Sequence, residues 1–205
     1  MSLLPIFVKL RDRLVVVVGG GAVAEGKIDG LFAAEARVRV VAPQVTPAIA
    51  QWVAQGKVEW RAKTFAPMDL DGACLVIAAT STPGVNDAVF NEADARGILC
   101  NAVDDTEHCH FYYGSVVQRG DLQIAVSTNG KSPALAQRLR LQLEKQFGRE
   151  YEVWLEWLGA ARELLRAGDG SADAKKVLLH HLASQAMFER FLQEARRRRA
   201  GRGAA

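Results

Sequence analysis

Asp104 and Asp105 come just after Ile98-Leu99-Cys100-Asn101, which reads as a strand, with only Ala102 and Val103 between. Two adjacent carboxylates that lose water cannot both stay charged cheaply. One then has its pKa raised and becomes a usable general base or acid. As a bare pair they also fit a solvated turn or a helix cap, and only their place at a strand end favours chemistry. A second reactive feature lies early in the chain. Val15-Val16-Val17-Val18 runs into Gly19-Gly20-Gly21 and then Ala22-Val23-Ala24, the order of a dinucleotide fingerprint. There Gly19 makes the tight turn, Gly21 lets the backbone approach a pyrophosphate, and Ala24 keeps helix and strand close. The free N–H groups of the helix start would receive the phosphates.

Two further motifs resemble sites. His108-Cys109-His110 offers three potential metal ligands, but alternate residues rarely converge on one ion without further ligands. No metal centre is expected, and a transient role for His108 or His110 in delivering a metal stays open. Gly130-Lys131-Ser132 imitates the end of a P-loop, yet the glycine required five positions earlier is Ala125, so no nucleoside triphosphate site is expected. What remains is a helix start capped by Ser132 and Pro133 with Lys131 beside it. That is a place for a carboxylate, or simply a well-capped helix with an exposed lysine.

These groups need elements to hold them. Strands are expected at Leu14–Val18, Val38–Val41, Val58–Trp60, Cys74–Ala79 and Ile98–Asn101, with helices at 22–34, 47–55 and 84–96. The alternation predicts an α/β fold: a Rossmann-like parallel sheet, helices on both faces, and ligands at the carboxyl ends of the strands. Leu3–Leu10 is expected along the sheet edge, and Arg39 as an exposed strand side chain. Beyond Asp105 the pattern changes. Phe111-Tyr112-Tyr113 and Leu122–Ser127 read as strands around an Arg119-Gly120-Asp121 turn, and helices follow at 133–147, 150–166 and 172–199, the last breaking near His181. The expected division is a nucleotide-binding domain over 1–113, a small β dimerisation segment over 114–147 and a helical domain over 148–205. Trp154, Leu155, Trp157 and Leu158 form an apolar surface that a homodimer would cover.

The chain has 205 residues, ample for a core at 49% hydrophobic content, and a net charge of +3. That charge is unevenly placed: residues 131–149 contribute +4 and 190–202 contribute +5, leaving −6 elsewhere. The basic half fits an anionic partner or a solvated arginine tail. Cys74, Cys100 and Cys109 have no metal spacing and read as buried thiols. No run suits a membrane span or a signal peptide, so a cytoplasmic protein without membrane or nucleic-acid partners is expected. No acidic residue stands where a dinucleotide ribose would be held, since the second strand ends in Val41-Ala42-Pro43-Gln44. The residues alone thus leave NAD and NADP open.

Taken together, Leu4-Pro5-Ile6-Phe7, the glycine turn, Val41-Ala42-Pro43, Ala78-Ala79-Thr80 with Asn86, Asn101-Ala102-Val103-Asp104-Asp105, and Ile124–Thr128 running into Gly130–Ala136 closely resemble the precorrin-2 dehydrogenase and sirohydrochlorin ferrochelatase family, the N-terminal module of siroheme synthases. The resemblance spans about the first 145 residues. It implies oxidation of precorrin-2 to sirohydrochlorin with NAD as hydride acceptor, and in many members insertion of ferrous iron as a second substrate. It implies Asp104 as the general base, with Asp105 the runner-up. Cofactor contacts are expected from Gly19, Gly21, Ala22, Val23, Ala24, Pro43, Gln44, Thr80 and Asn101. The substrate is an anionic tetrapyrrole with eight carboxylates, for which Ser127, Thr128, Lys131, Ser132 and Arg138 are the candidate contacts. The missing ribose acid also fits the family. The chain stops at Ala205, so the methyltransferase that makes precorrin-2 is expected on another protein. The competing reading is a dinucleotide-sensing regulatory dimer with no catalytic carboxylate.

Overall fold

The computed structural model describes residues 3–82 and 84–202, with side chains through residue 197. The chain forms two compact units that divide between Tyr113 and Gly114. The first contains β1 (Leu14–Val18), α1 (Ala22–Ala33), β2 (Arg37–Val41), α2 (Pro47–Ala54), β3 (Val58–Arg61), a 3-10 turn (Pro67–Leu70), β4 (Ala73–Ala78), α3 (Val85–Ala95) and β5 (Leu99–Ala102). All five strands are parallel, in the order β3-β2-β1-β4-β5. The strand order reverses beside β1, which makes the crevice above the ends of β1 and β4 the natural ligand site.

Burial follows from the β-branched run. Val15, Val16 and Val17 are wholly inaccessible to solvent, each worth roughly 1.5–3 kcal/mol. Alternation sends Val15 and Val17 to a core with Ile28, Leu31 and Ile49, and Val16 and Val18 to another with Val89, Ala93 and Leu70. The register aligns the strand ends: Val18 sits beside both Val41 and Ala78, and Ala78 beside Ala102. Polar groups just after each strand therefore emerge together at one edge.

Four expectations need correction. Residues 3–9 form no strand at the sheet edge and are exposed; only Leu10 enters the core. Arg39 is buried, because its guanidinium donates to the Glu59 carboxylate (2.9 Å) and to the carbonyls of Asp69 (3.1 Å) and Asp71 (3.3 Å). Phe111–Tyr113 is not a strand: its residues serve as packing and anchoring groups, and pairing begins only at Ser115. Trp154 is buried within its own unit, its ring 4.6 Å from Phe188 and 5.9 Å from Tyr151 between centroids. Only Trp157 and Val153 of that helix stay open among its large apolar groups near Trp154.

The second unit joins β6 (Ser115–Arg119) and β7 (Leu122–Val126) in an antiparallel hairpin to α4 (Pro133–Gln146), α5 (Glu150–Ala167), α6 (Ala172–Leu182) and α7 (Gln185–Arg202). The Arg119 guanidinium donates to the carbonyls of Phe147 (2.9 Å) and Glu144 (3.2 Å), which ties the hairpin to the end of α4. The break between α6 and α7 falls at Ala183-Ser184. Of the arginine run, the side chains of Arg198, Arg199 and Arg202 lie outside the described residues.

Candidate active site

A cavity of about 610 Å³ opens at the carboxyl edge of the parallel sheet. Its floor is the β1–α1 turn, Gly19 to Val23; its walls are Ala42–Gln44 after β2, Ala79–Thr82 after β4, Val103 and Asp104 after β5, and Thr64 and Phe65. The size suits a dinucleotide half or a small cofactor. The glycines are required in different ways. Gly19 has φ +122°, and a Cβ there would lie 2.3 Å from the Ala79 carbonyl oxygen. A Cβ on Gly20 would lie 2.1 Å from the Gln44 carbonyl oxygen. Gly21 meets nothing within 4 Å, so its face is open to the cavity, directly at the N-terminus of α1. Free N–H groups, the positive end of the helix dipole and an unobstructed approach together fit a pyrophosphate.

The walls are braced from behind. Asn86 clamps the loop after β4, accepting from the Thr80 N–H (3.3 Å) and hydroxyl (3.0 Å) and donating to the Thr80 carbonyl (3.2 Å). Thr46 caps α2 and donates to Glu25 of α1 at 2.7 Å, so the loop carrying Pro43 and Gln44 is held to the glycine turn. Thr64 and Phe65 lie between Lys63 and Ala66, both of which are tied to Asp69, whose side chain is fully buried. Burial pushes the Asp69 carboxyl up, but hydrogen bonds from Lys63, Arg61 and the Ala66 N–H outweigh it and hold the group below its usual range.

The two neighbouring carboxylates have separate fates. Asp104 lines the cavity in the left-handed region, φ 62°, at the third position of a turn closed by the Asp105 N–H donating to the Ala102 carbonyl at 3.3 Å. A non-glycine residue held there is strained, a feature that gathers at functional sites. Asp105 turns away. Its carboxylate accepts from His108 Nδ1 at 2.6 Å and from the N–H groups of Glu107 and His108. The His108 hydrogen bond and these N–H groups hold it below the usual carboxylate range, so the expected raised pKa does not apply to Asp105. The same bond, with the charges of Asp105, Asp87 and Glu107, raises the His108 pKa.

The three residues of His108-Cys109-His110 diverge. His110 accepts from the Cys100 N–H at Nδ1 (3.1 Å) and donates from Nε2 to Asp94 (3.1 Å). The Cys109 thiol donates to the carbonyls of Ala102 and Asp105, and burial raises its pKa. Cys100 is buried and pushed up to about 12. His108 instead meets Asp87 and Asp105, whose ligand atoms all lie within 4.8 Å of one another. Asp87, on α3, was invisible as a partner in the sequence because the whole of β5 lies between it and His108.

Of the other expected contacts, Gly19, Gly21, Ala22, Val23, Pro43, Gln44 and Thr80 line the cavity, whereas Ala24 and Asn101 do not. Ala24 is fully buried in the helix–sheet packing. Asn101 is buried and donates to the Phe111 carbonyl at 2.8 Å, fixing the segment after β5. Ser127, Thr128, Lys131, Ser132 and Arg138 belong to the second unit. Ser127 accepts from the Asn129 N–H, Thr128 from the Ser132 N–H, and Ser132 caps α4 by accepting from the Leu135 N–H; Lys131 and Arg138 are exposed.

Residues 6–115, more than half the chain, match the family model described as putative NAD(P)-binding. The chain belongs to this NAD(P)-binding family. Residues 119–146 match a second model, described as sirohaem biosynthesis protein central. The chain is 43% identical over 171 residues to siroheme synthase 1 of Serratia proteamaculans, covering 82% of this chain and 36% of that protein. It is 41% identical over 177 residues to siroheme synthase of Methylobacillus flagellatus, covering 86% and 38%. It therefore spans little more than a third of the length of these relatives. Among solved structures, SirC, a precorrin-2 dehydrogenase, superimposes with a TM-score of 0.79 at 28% identity, covering 95% of this chain and all of that one. The sequence-level resemblance to the siroheme synthase module and the α/β fold both hold. As an NAD(P)-binding domain, the first unit also uses wall residues that sequence reasoning missed. Thr64, Phe65 and Val85 carry no motif, and only the closing of the sheet brings them to the cavity.

Proposed function

We propose that the protein oxidises precorrin-2 to sirohydrochlorin with NAD as acceptor, as a step of siroheme biosynthesis. The observation that carries the reading is Asp104, an exposed carboxylate held in a strained turn on the wall of the cavity whose floor is the glycine turn. Bound NAD supplies the hydride acceptor. Asp104 takes the proton that leaves with that hydride, so two hydrogens are removed from the substrate, one as hydride and one as a proton. The glycine turn, Pro43, Gln44 and Thr80 orient the dinucleotide. The open carboxylate of Asp104, rather than the His108-bound Asp105, is the base.

Ferrous iron is the second substrate in this reading. Metal insertion releases two pyrrole protons, for which the same Asp104 is the acceptor, and the Asp87, Asp105 and His108 cluster is the metal's point of delivery. Lys131 and Arg138, at the start of α4, contact carboxylates of the tetrapyrrole, with Ser127, Thr128 and Ser132. A homodimer is built over residues 114–147. Supporting it, the β6–β7 hairpin is a two-stranded sheet, marginal alone, and Val116, Leu135 and Leu141 are exposed in this segment. A cytoplasmic location goes with this reading; no described helix is long and apolar enough to cross a membrane.

The test mixes purified protein with NAD and enzymatically made precorrin-2. Sirohydrochlorin absorbance and NADH fluorescence should rise together, and Asp104→Ala should abolish both while NAD binding stays intact. A parallel arm follows sirohydrochlorin with ferrous ion, with and without protein. No turnover by the wild-type chain refutes the dehydrogenase, undiminished D104A activity refutes the base, and equal metal-insertion rates with and without protein refute the chelatase.

A further inference from the structure

Lys27 lies on α1 one helical turn beyond Val23, which lines the cavity, so the two side chains share a face of the helix. It is half-buried, with its ammonium nitrogen 4.0 Å from the centroid of the Tyr113 ring. Tyr113 in turn packs on Phe111, centroids 5.7 Å apart with the rings tilted by 59°, and Phe111 packs against the sheet core. The lysine is thereby held in one place. Among the described residues Lys27 has no hydrogen bond and no carboxylate within 4.0 Å, and Asp104 likewise has no side-chain partner. Burial lowers the Lys27 pKa, while the nearby negative charge of Asp104 acts in the opposite direction. A cation that has lost part of its water, with only the charge of Asp104 at longer range and no anion in contact, gains from an anion that arrives. An aromatic face compensates only partly.

We propose that Lys27 is a substrate-binding residue that takes a carboxylate of the anionic tetrapyrrole beside Asp104. This rests on the proposed precorrin-2 activity. Lys27 and Asp104 belong to the same unit, so the ammonium can fix the ring edge next to the base whatever the second unit contributes. The arrangement also explains why a lysine rather than a neutral residue stands on this face of α1. A purely structural tie to Tyr113 would not require a charge left without an anion in contact.

The experiment compares the wild-type chain with Lys27→Met, which keeps the apolar stem, and Lys27→Arg, which keeps the charge. At saturating NAD the KM for precorrin-2 should rise at least ~10-fold in K27M, the scale of one hydrogen bond to a charged group, with the KM for NAD unchanged. K27R should recover most of that loss. Equilibrium binding of sirohydrochlorin, read from its absorbance, should weaken in K27M by a similar factor. This binding arm judges Lys27 even if the wild-type chain fails to oxidise precorrin-2, a failure that would count against the proposed activity alone. Equal sirohydrochlorin affinity in wild type and K27M overturns the assignment. So does a K27M protein that loses NAD affinity and thermal stability in step with tetrapyrrole affinity, since that marks a packing residue.

Discussion

Gly19 and Gly21 belong to one fingerprint but should fail for different reasons when replaced by alanine. At Gly19 the backbone has φ +122°, and a Cβ would stand 2.3 Å from the Ala79 oxygen and 2.7 Å from its carbonyl carbon. Both are backbone atoms, and the Ala79 N–H is bonded to the Val18 carbonyl at 2.8 Å, so the neighbour cannot yield without pulling β4 from β1. Backbone strain of about 1–3 kcal/mol adds to an overpacking cost of similar size, giving roughly 3 kcal/mol or more. For a chain of this size, that is a Tm fall of roughly 6–12 °C. At Gly21 the backbone is extended, φ −85° and ψ −175°, and a Cβ meets nothing within 4 Å. Only the N-cap preference is lost, about 0.5–1 kcal/mol, or roughly 1–4 °C. The added methyl nevertheless stands in the open approach to the α1 N-terminus, so NAD affinity should fall at least ~10-fold, the loss of about one hydrogen bond to a charged group. Differential scanning calorimetry without ligand and isothermal titration with NAD separate the two variants. A G19A protein as stable as wild type would refute the packing argument, and G21A binding NAD as wild type does would refute the placement of the cofactor.

The Asp69 network should be stabilising. Asp69→Ala strands Arg61 and Lys63 and uncaps the Ala66 N–H, at a cost of roughly 2–3 kcal/mol, because both cations still reach water. Urea denaturation measures it, and an unchanged midpoint would show that the network is dispensable. The Asp105–His108 pair sets a pH window. His108 is raised above its ordinary 6.5, so its contribution is complete below that pH and is lost as pH climbs through the folded-state value. Asp105 is depressed below 3.8, so its contribution is present above that pH and is lost as pH drops through the folded-state value. The pair therefore stabilises most between those limits. An NMR titration of the His108 ring should give a midpoint above 6.5 that Asp105→Asn brings back down; a wild-type midpoint at or below 6.5 would contradict the pairing.

Much of the first unit was legible because its signals are local. Four consecutive valines followed by three glycines specify a buried strand, a tight turn and a helix start without reference to anything distant. Thr46-Pro47 and Ser132-Pro133 likewise announce helices through caps made within four residues. The positions just after the strands could be marked as site residues because parallel order puts all carboxyl ends on one edge.

What the sequence could not decide depends on contacts across long separations. Periodicity gave Arg39 a strand but not its burial, which needs Glu59 and two carbonyls from residues thirty or so positions away. By residue type and spacing alone the Asp104-Asp105 pair was symmetric, and only the family resemblance ranked Asp104 first. The pair became one open carboxylate and one committed to His108 only when the left-handed turn at Asp104 sent the two side chains apart. Trp154 looked like an uncovered surface until Phe188 of α7 folded onto it. The glycine turn, the strand ends and the family resemblance were thus fixed by neighbours in the chain. Which carboxylate faces the cavity and which carboxylates meet His108 were fixed by closure of the sheet, because only tertiary packing brings Asp87 and Asp105 within a few ångströms of that ring.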